Sequence, residues 1–175
     1  MWNIIATILV FAVIAVGLVE VYQNFGTGQA QQTAQGLSQE TATTAAQIST
    51  MFAGNPDFTN ITTAANTLVP TNWKASGTAG KFTLPEGGTV TFGGAKVNGS
   101  ATDNGYTMAF ATIDQNECQA LAGFATQKTA SITINGTTVV NTTYGGTAST
   151  PAWGSNLVYL CTAGTANTIT FTLAG

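Results

Sequence analysis

The chain has 175 residues, 44% of them hydrophobic and only 6% charged, with four lysines, seven acids and no histidine; a typical globular domain is roughly 25% charged. No basic patch is available to displace phosphate counterions, which excludes nucleic-acid binding. Without histidine the commonest general base and metal ligand are missing, so neither hydrolase chemistry nor a cofactor is expected, and the length suits one ordinary domain plus an appendage.

From Met1 to Val19 there is no charge, and only Asn3, Thr7 and Gly17 interrupt an apolar run. Its bulk comes from Trp2, Ile4, Ile5, Ile8, Leu9, Phe11, Val13, Ile14, Val16 and Leu18. The run matches the ~20 residues needed to cross a bilayer. A secretory signal would open with a basic region, and none is present. The missing charge suggests that Met1 is a processed terminus; a plain N-terminal anchor is the alternative.

Beyond Glu20 the helical period continues through Ala30, Ala34, Leu37, Ala45, Ile48 and Phe52. No proline occurs before Pro56, while Gly17, Gly26, Gly28 and Gly36 each weaken a helix by about 1 kcal/mol relative to alanine. A kink or melted turn is expected at Phe25–Gly28, and Gly54-Asn55-Pro56-Asp57 is a stop signal. The expected organisation is a helix over 1–53, apolar over 1–24 and amphipathic over 25–53, followed by a head over 54–175. A helix of about 50 residues is roughly 75 Å long, too long for the small head to cover its apolar half. That half must sit in lipid or against the same half of other copies, where burying its large side chains at ~1.5–3 kcal/mol each gives tens of kcal/mol before entropy costs.

In the head, Asp57–Leu68 reads as a short helix capped by Thr59 or Asn60 and ended by Pro70. Lys81–Leu84 and Thr89–Phe92 alternate on either side of Pro85-Glu86-Gly87-Gly88, a hairpin pattern. Tyr106–Ile113 is the best central strand. Asp114 with Glu117 three residues on is a capping-box variant opening a short helix whose apolar face is Cys118, Leu121, Ala122 and Phe124. Ser131–Val140 holds Asn135-Gly136 between β-formers, a strong hairpin signal. Leu157–Thr162 reads as a late strand carrying Cys161, and Thr168–Leu173 as the last one. The fold class is therefore α+β with an antiparallel sheet.

Cys118 and Cys161 are too far apart in sequence for a local CxxC pair. In an oxidising compartment they would form one disulfide, worth roughly 4 kcal/mol on the chain-entropy model; two buried free thiols are the alternative. The apolar leader, which points to export, favours the bridge.

The apolar-then-amphipathic leading helix comes with two further stretches. Met51-Phe52-Ala53-Gly54-Asn55 runs through Phe58-Thr59-Asn60 to Leu68-Val69-Pro70-Thr71-Asn72-Trp73, and Asn116-Glu117-Cys118-Gln119-Ala120-Leu121 is matched with Leu160-Cys161 and a closing strand. In this order they resemble a type IV pilin of the type IVb subclass, similar to major pilins of conjugative and enterobacterial thin pili. The resemblance implies a precursor cut by a prepilin peptidase and methylated at Met1. It also implies residence in the inner membrane, extraction by an ATP-driven machine, and polymerisation into a helical extracellular filament. Adhesion, aggregation or mating-pair contact would be the role. A minor pilin or pseudopilin of a secretion system, and a membrane-tethered glycan- or protein-binding module, are the competing readings.

One departure concerns assembly. Most type IV pilins have Glu at the fifth position, thought to pair with a neighbour's amine, and this chain has Ile5. Glu20 lies about 22 Å further along an unbroken helix; Asn3, Thr7 and Glu20 are the polar side chains left for assembly contacts.

Four Asn-x-Ser/Thr sequons occur, at Asn60, Asn98, Asn135 and Asn141. Trp73 and Trp153 are candidates for sugar stacking, with core packing or subunit contact the favoured reading. Asp103, Asp114 and Glu117 lack the Asp-x-Asp-x-Asp pattern of a calcium loop, and no metal is expected.

Overall fold

The computed structural model describes residues 28–54, 56–123 and 128–175. The apolar run, its residues Met1 to Leu18, the polar Asn3, Thr7 and Glu20, and the glycines Gly17 and Gly26 lie outside the described residues, as does Phe124. Gly28 is the first helical residue described, so the expected kink at Phe25–Gly28 falls on the boundary.

Helix α1 spans 28–51. Its buried stripe is Ala34, Leu37, Thr41, Thr44, Ala45 and Ile48, the i, i+3, i+4 spacing of one helix face. Thr41 and Thr44 interrupt an otherwise apolar stripe at no cost in unpaired hydroxyls. Thr41 Oγ1 donates to the Leu37 carbonyl at 2.7 Å and Thr44 Oγ1 to the Glu40 carbonyl at 2.8 Å. This back-bonding lets small β-branched residues face a core.

Helix α2 is Ile61–Leu68 and buries Ile61 and Ala65. It is shorter than the expected Asp57–Leu68. Asn60 holds the N-cap position without a side-chain cap bond, and Thr59 spends its N–H and hydroxyl on Asp57 Oδ1, so neither acts as the expected cap. Helix α3, Gln115–Ala122, has the full capping box: Asp114 Oδ1 accepts from Glu117 N at 2.7 Å, and Glu117 Oε2 accepts from Asp114 N at 2.8 Å.

Seven strands form one antiparallel sheet: β1 Lys74–Ala75, β2 Lys81–Thr83, β3 Thr89–Ala95, β4 Gly105–Ile113, β5 Thr129–Ile134, β6 Thr137–Val140 and β7 Asn167–Ala174. Their spatial order is β1-β2-β3-β4-β7-β5-β6. The last strand is thus inserted between β4 and β5, bonded to both. The two-residue edge strand β1 was not expected from the sequence.

One face of the sheet is apolar: Val90 and Phe92, Tyr106, Met108 and Phe110, Ile169, Phe171 and Leu173, Ile132 and Ile134 are all buried. The other face is mostly threonine and alanine, as in the row Thr91, Ala109, Thr170, Thr133 and Thr138 across five strands. Side chains alternate with period two, and β4 breaks that parity once. Thr112, at φ 59°, is the extra residue of a bulge between Ala111 and Ile113, which turns Ile113 to the buried side. At Gly105 a Cβ would collide with the Leu173 carbonyl and with Val97 Cγ2, so only glycine lets β4 and β7 meet there.

The disulfide joins Cys118 and Cys161. Cys161 does not lie on a strand. Val158–Leu160 is a 3-10 turn and Cys161 follows it in extended conformation. The expectation of a strand over Leu157–Thr162 is corrected: both central positions of the sheet beside α3 are filled by β4 and β7, and this segment packs on α3 as a loop.

Candidate functional site

The feature that joins the leading helix to the head is a seam of hydrogen bonds and rings. Glu40 is the only charged residue between 28 and 51. It faces the turn after α2, where its carboxylate accepts from Trp73 Nε1 and from Asn72 Nδ2, both at 2.7 Å. Trp73 is buried and meets Phe110 of β4 edge-on at 6.3 Å, and Phe110 meets Phe171 of β7 in the same way at 6.2 Å. A carboxylate on the helix is thereby tied, through three rings, to the central strands.

Near the other end of α1, Phe52 stacks on Phe58 at 4.5 Å and Phe58 on Tyr106 at 5.2 Å. The Tyr106 hydroxyl donates to the Ala45 carbonyl at 3.3 Å. Burial pushes the Tyr106 phenol well above its usual value, against the lowering effect of a hydrogen bond with Ser49; it is a neutral donor at any physiological pH. The helix is held at two levels, about one and a half helical turns apart.

At the leading end of α1 a cleft of about 810 Å³ opens between Gln29 and Thr33 on the helix and Glu86, Asp114, Glu117 and Thr165 on the head. Burial pushes the Glu117 carboxyl up, and the carboxylates of Asp114 and Glu86 act in the same direction, opposed by the backbone N–H of Asp114. Among the described residues no group of three ligating side chains could hold a metal ion, and Asp103 stands apart from Asp114 and Glu117, at opposite ends of β4.

The candidate sugar-stacking rings fare differently. Trp73 is consumed by the seam and offers no platform. Trp153 is half-buried against the core, beside a cleft of about 240 Å³ shared with Ile132 and Leu157. Of the sequons, Asn60 and Asn98 are exposed, whereas the amides of Asn135 and Asn141 are committed to hydrogen bonds.

Sequence reasoning missed Glu40 and Asn167. The signal for Glu40 was present: one carboxylate in a helix otherwise made of uncharged residues has no neighbouring cation, so its partner must come from the head. Asn167 carried no signal. It is fully buried at the start of β7. Its Oδ1 accepts from Thr162 N and Asn135 Nδ2, and its Nδ2 donates to the carbonyls of Thr162, Gly164 and Ile113. It closes the loop that carries Cys161 onto the end of the sheet.

Among the described residues no helix is long and apolar enough to cross a membrane. A comparison with curated protein sequences gave no match. Among solved structures, a type IV b pilin from Salmonella typhi is similar, with a TM-score of 0.49 at 19% identity, covering 85% of this chain and 99% of that one. The family model Bundlin matches residues 27–173, spanning the amphipathic helix, the sheet and the disulfide. The chain belongs to the Bundlin family, the type IVb pilins, and is a pilin subunit.

Proposed function

We propose that this chain is the major structural subunit of an extracellular type IVb-like pilus and polymerises through its N-terminal helix. The observation that carries the reading is a mismatch between the two halves of the leader. Residues 28–51 are tied to the head at Glu40 and Ala45, whereas the preceding run from Met1 to Val19 carries no charge and is apolar but for Asn3, Thr7 and Gly17. A helix apolar all round needs lipid or other apolar helices about it. Before assembly the inner membrane supplies that surrounding; in the filament the same run of neighbouring subunits does.

In this reading a prepilin peptidase cuts the precursor before Met1, the new terminus is methylated, and an ATP-driven machine lifts the subunit out of the membrane. The large apolar side chains of the run (Trp2, Ile4, Ile5, Ile8, Leu9, Phe11, Val13, Ile14, Val16 and Leu18) form the filament core. Asn3, Thr7 and Glu20 supply its polar contacts in place of the acid that Ile5 replaces. The filament serves adhesion, aggregation or mating-pair contact.

The test is mass analysis of appendages sheared from producing cells. The reading requires this chain as their main protein, with a methylated Met1. A trace amount among other pilins would assign it to the minor pilins, and its absence from every appendage would overturn polymerisation.

A further inference from the structure

The chain contains three Asn-Gly pairs, at Asn98-Gly99, Asn104-Gly105 and Asn135-Gly136. Asn-Gly is the dipeptide in which an asparagine side chain most readily reacts with its own backbone, because glycine leaves the following amide nitrogen unhindered. The fold treats the three differently.

Asn104 is half-buried, and its side chain is gripped from both ends by one residue: Oδ1 accepts from Val97 N at 2.7 Å and Nδ2 donates to the Val97 carbonyl at 3.1 Å. Gly105 is buried in the β3–β4–β7 ladder. Asn135-Gly136 forms the β5–β6 turn, with φ of 47° and 85°. Its amide is also gripped from both ends, Nδ2 by the Leu160 carbonyl and Asn167 Oδ1, and Oδ1 by Thr168 N, each at 2.9 Å.

Asn98-Gly99 has the same turn geometry as Asn135-Gly136. Both residues have positive φ, 58° and 71°, and Ser100 N closes the turn on the Val97 carbonyl at 3.2 Å, the pattern of a type I′ turn. Here, however, Asn98 is exposed; its Oδ1 lies beside Gly145, but no hydrogen bond holds the side chain among the described residues. Nothing lies within 4 Å of the space beside Gly99. Two matched turns thus differ in whether the amide is tethered.

We propose that Asn98 is a self-modification site, converting through a cyclic imide to aspartate and isoaspartate while Asn104 and Asn135 are protected by the fold. The Gly99 amide nitrogen loses its proton to water or hydroxide and attacks Cγ of Asn98. The new N–Cγ bond forms as the Cγ–Nδ2 bond breaks, and ammonia leaves with the proton returned to it. Water then opens the five-membered imide at either carbonyl, leaving a carboxylate. Water is the sole co-reactant and nothing is oxidised or reduced. The product places a negative charge two residues from Lys96, which is exposed and has no ion pair among the described residues. On a long-lived extracellular chain this is a slow, irreversible change of surface charge at one turn.

The experiment uses the full-length chain in detergent, held in mildly alkaline buffer for days, with peptide mapping for isoaspartate and isoelectric focusing of the whole chain. Asn98 should convert at least about tenfold faster than Asn104 or Asn135, the ratio carried by a barrier difference of ~1.4 kcal/mol, comparable to one net hydrogen bond. The acidic band should be absent from Asn98→Gln, and Asn98→Asp should focus with the aged wild type. In denaturant all three sites should react at similar rates. Equal conversion of the three in the folded chain, or an unmodified Asn98, would overturn the proposal. So would a denatured chain that keeps the folded preference, since the fold would then not be its cause.

Discussion

The Glu40 carboxylate accepts the indole N–H of Trp73 across 2.7 Å, joining the leading helix to a ring buried in the head. Its other oxygen takes the Asn72 amide, so this one acid satisfies two donors that the turn after α2 presents. Glu40→Ala should destabilise the head by about 1–3 kcal/mol, the cost of leaving the indole N–H of buried Trp73 without an acceptor. Glu40→Gln keeps one acceptor oxygen and should lose less. Urea unfolding followed by tryptophan fluorescence measures both; equal stability of Glu40→Ala and wild type would show that the seam adds nothing.

Asn167 serves the disulfide loop as Glu40 serves the helix. Asn167→Ala strips partners from the Thr162 N–H and the Asn135 amide, both near the sheet's end. The expected loss is at least about 2 kcal/mol. Hydrogen exchange should show the 160–166 loop and the β5–β6 turn opening together in the variant. Opening of the loop alone would mean that Asn167 does not couple them.

The disulfide closes a sequence separation of 43 residues. Cys118→Ser should cost ~2–5 kcal/mol and should free the 3-10 turn from α3. Thermal melting of the wild type with and without reductant gives an independent measure. A Cys118→Ser midpoint equal to that of the oxidised wild type would contradict a stabilising bridge.

Glu117 sets a pH dependence whose sign follows from its raised pKa. The folded chain disfavours the ionised form, chiefly by burial. Lowering the pH from neutral toward the ordinary value of 4.5 therefore lets the fold take up a proton that the unfolded chain does not, and this group's contribution to stability rises. Asp57 works the other way: hydrogen bonds from Thr59 hold its pKa down, so its contribution is lost on acidification. Glu117→Gln keeps an oxygen for the Asp114 N–H and removes the titration. The stability difference between variant and wild type should favour the variant at pH 7 and shrink toward pH 4.5. A difference that stays constant over this range would show that Glu117 is not strained by its charge.

Much of this fold is legible in local pattern. Tyr106–Ile113 alternates, Asp114 and Glu117 announce α3, and Asn135-Gly136 marks a hairpin, because each signal is contained within a few residues. What escapes is non-local. The insertion of β7 between β4 and β5 depends on pairing across more than thirty residues, which no window of sequence contains. Cys161 sits in a loop because β4 and β7 already fill the sheet beside α3, a fact of packing and not of β-propensity. Thr41 and Thr44 read as breaks in an apolar stripe, yet back-bonding lets them lie in the buried face. The disulfide partners were legible as a pair once export was inferred from the leader. The proposed filament-core residues rest on composition, since they lie outside the described residues and precede residue 27, where the family match begins.

In the proposed filament the run from Met1 to Val19 holds subunits together. The most direct measurement is negative-stain microscopy of sheared cell surfaces carrying wild type or Ile8→Asp, with the oxidised head monitored in the same cells. The wild type should give fibres of this chain and Ile8→Asp none, because a carboxylate in a packed apolar core has no partner, while the head still folds and forms its Cys118–Cys161 bridge. Fibres of normal abundance from Ile8→Asp would contradict that role of the run.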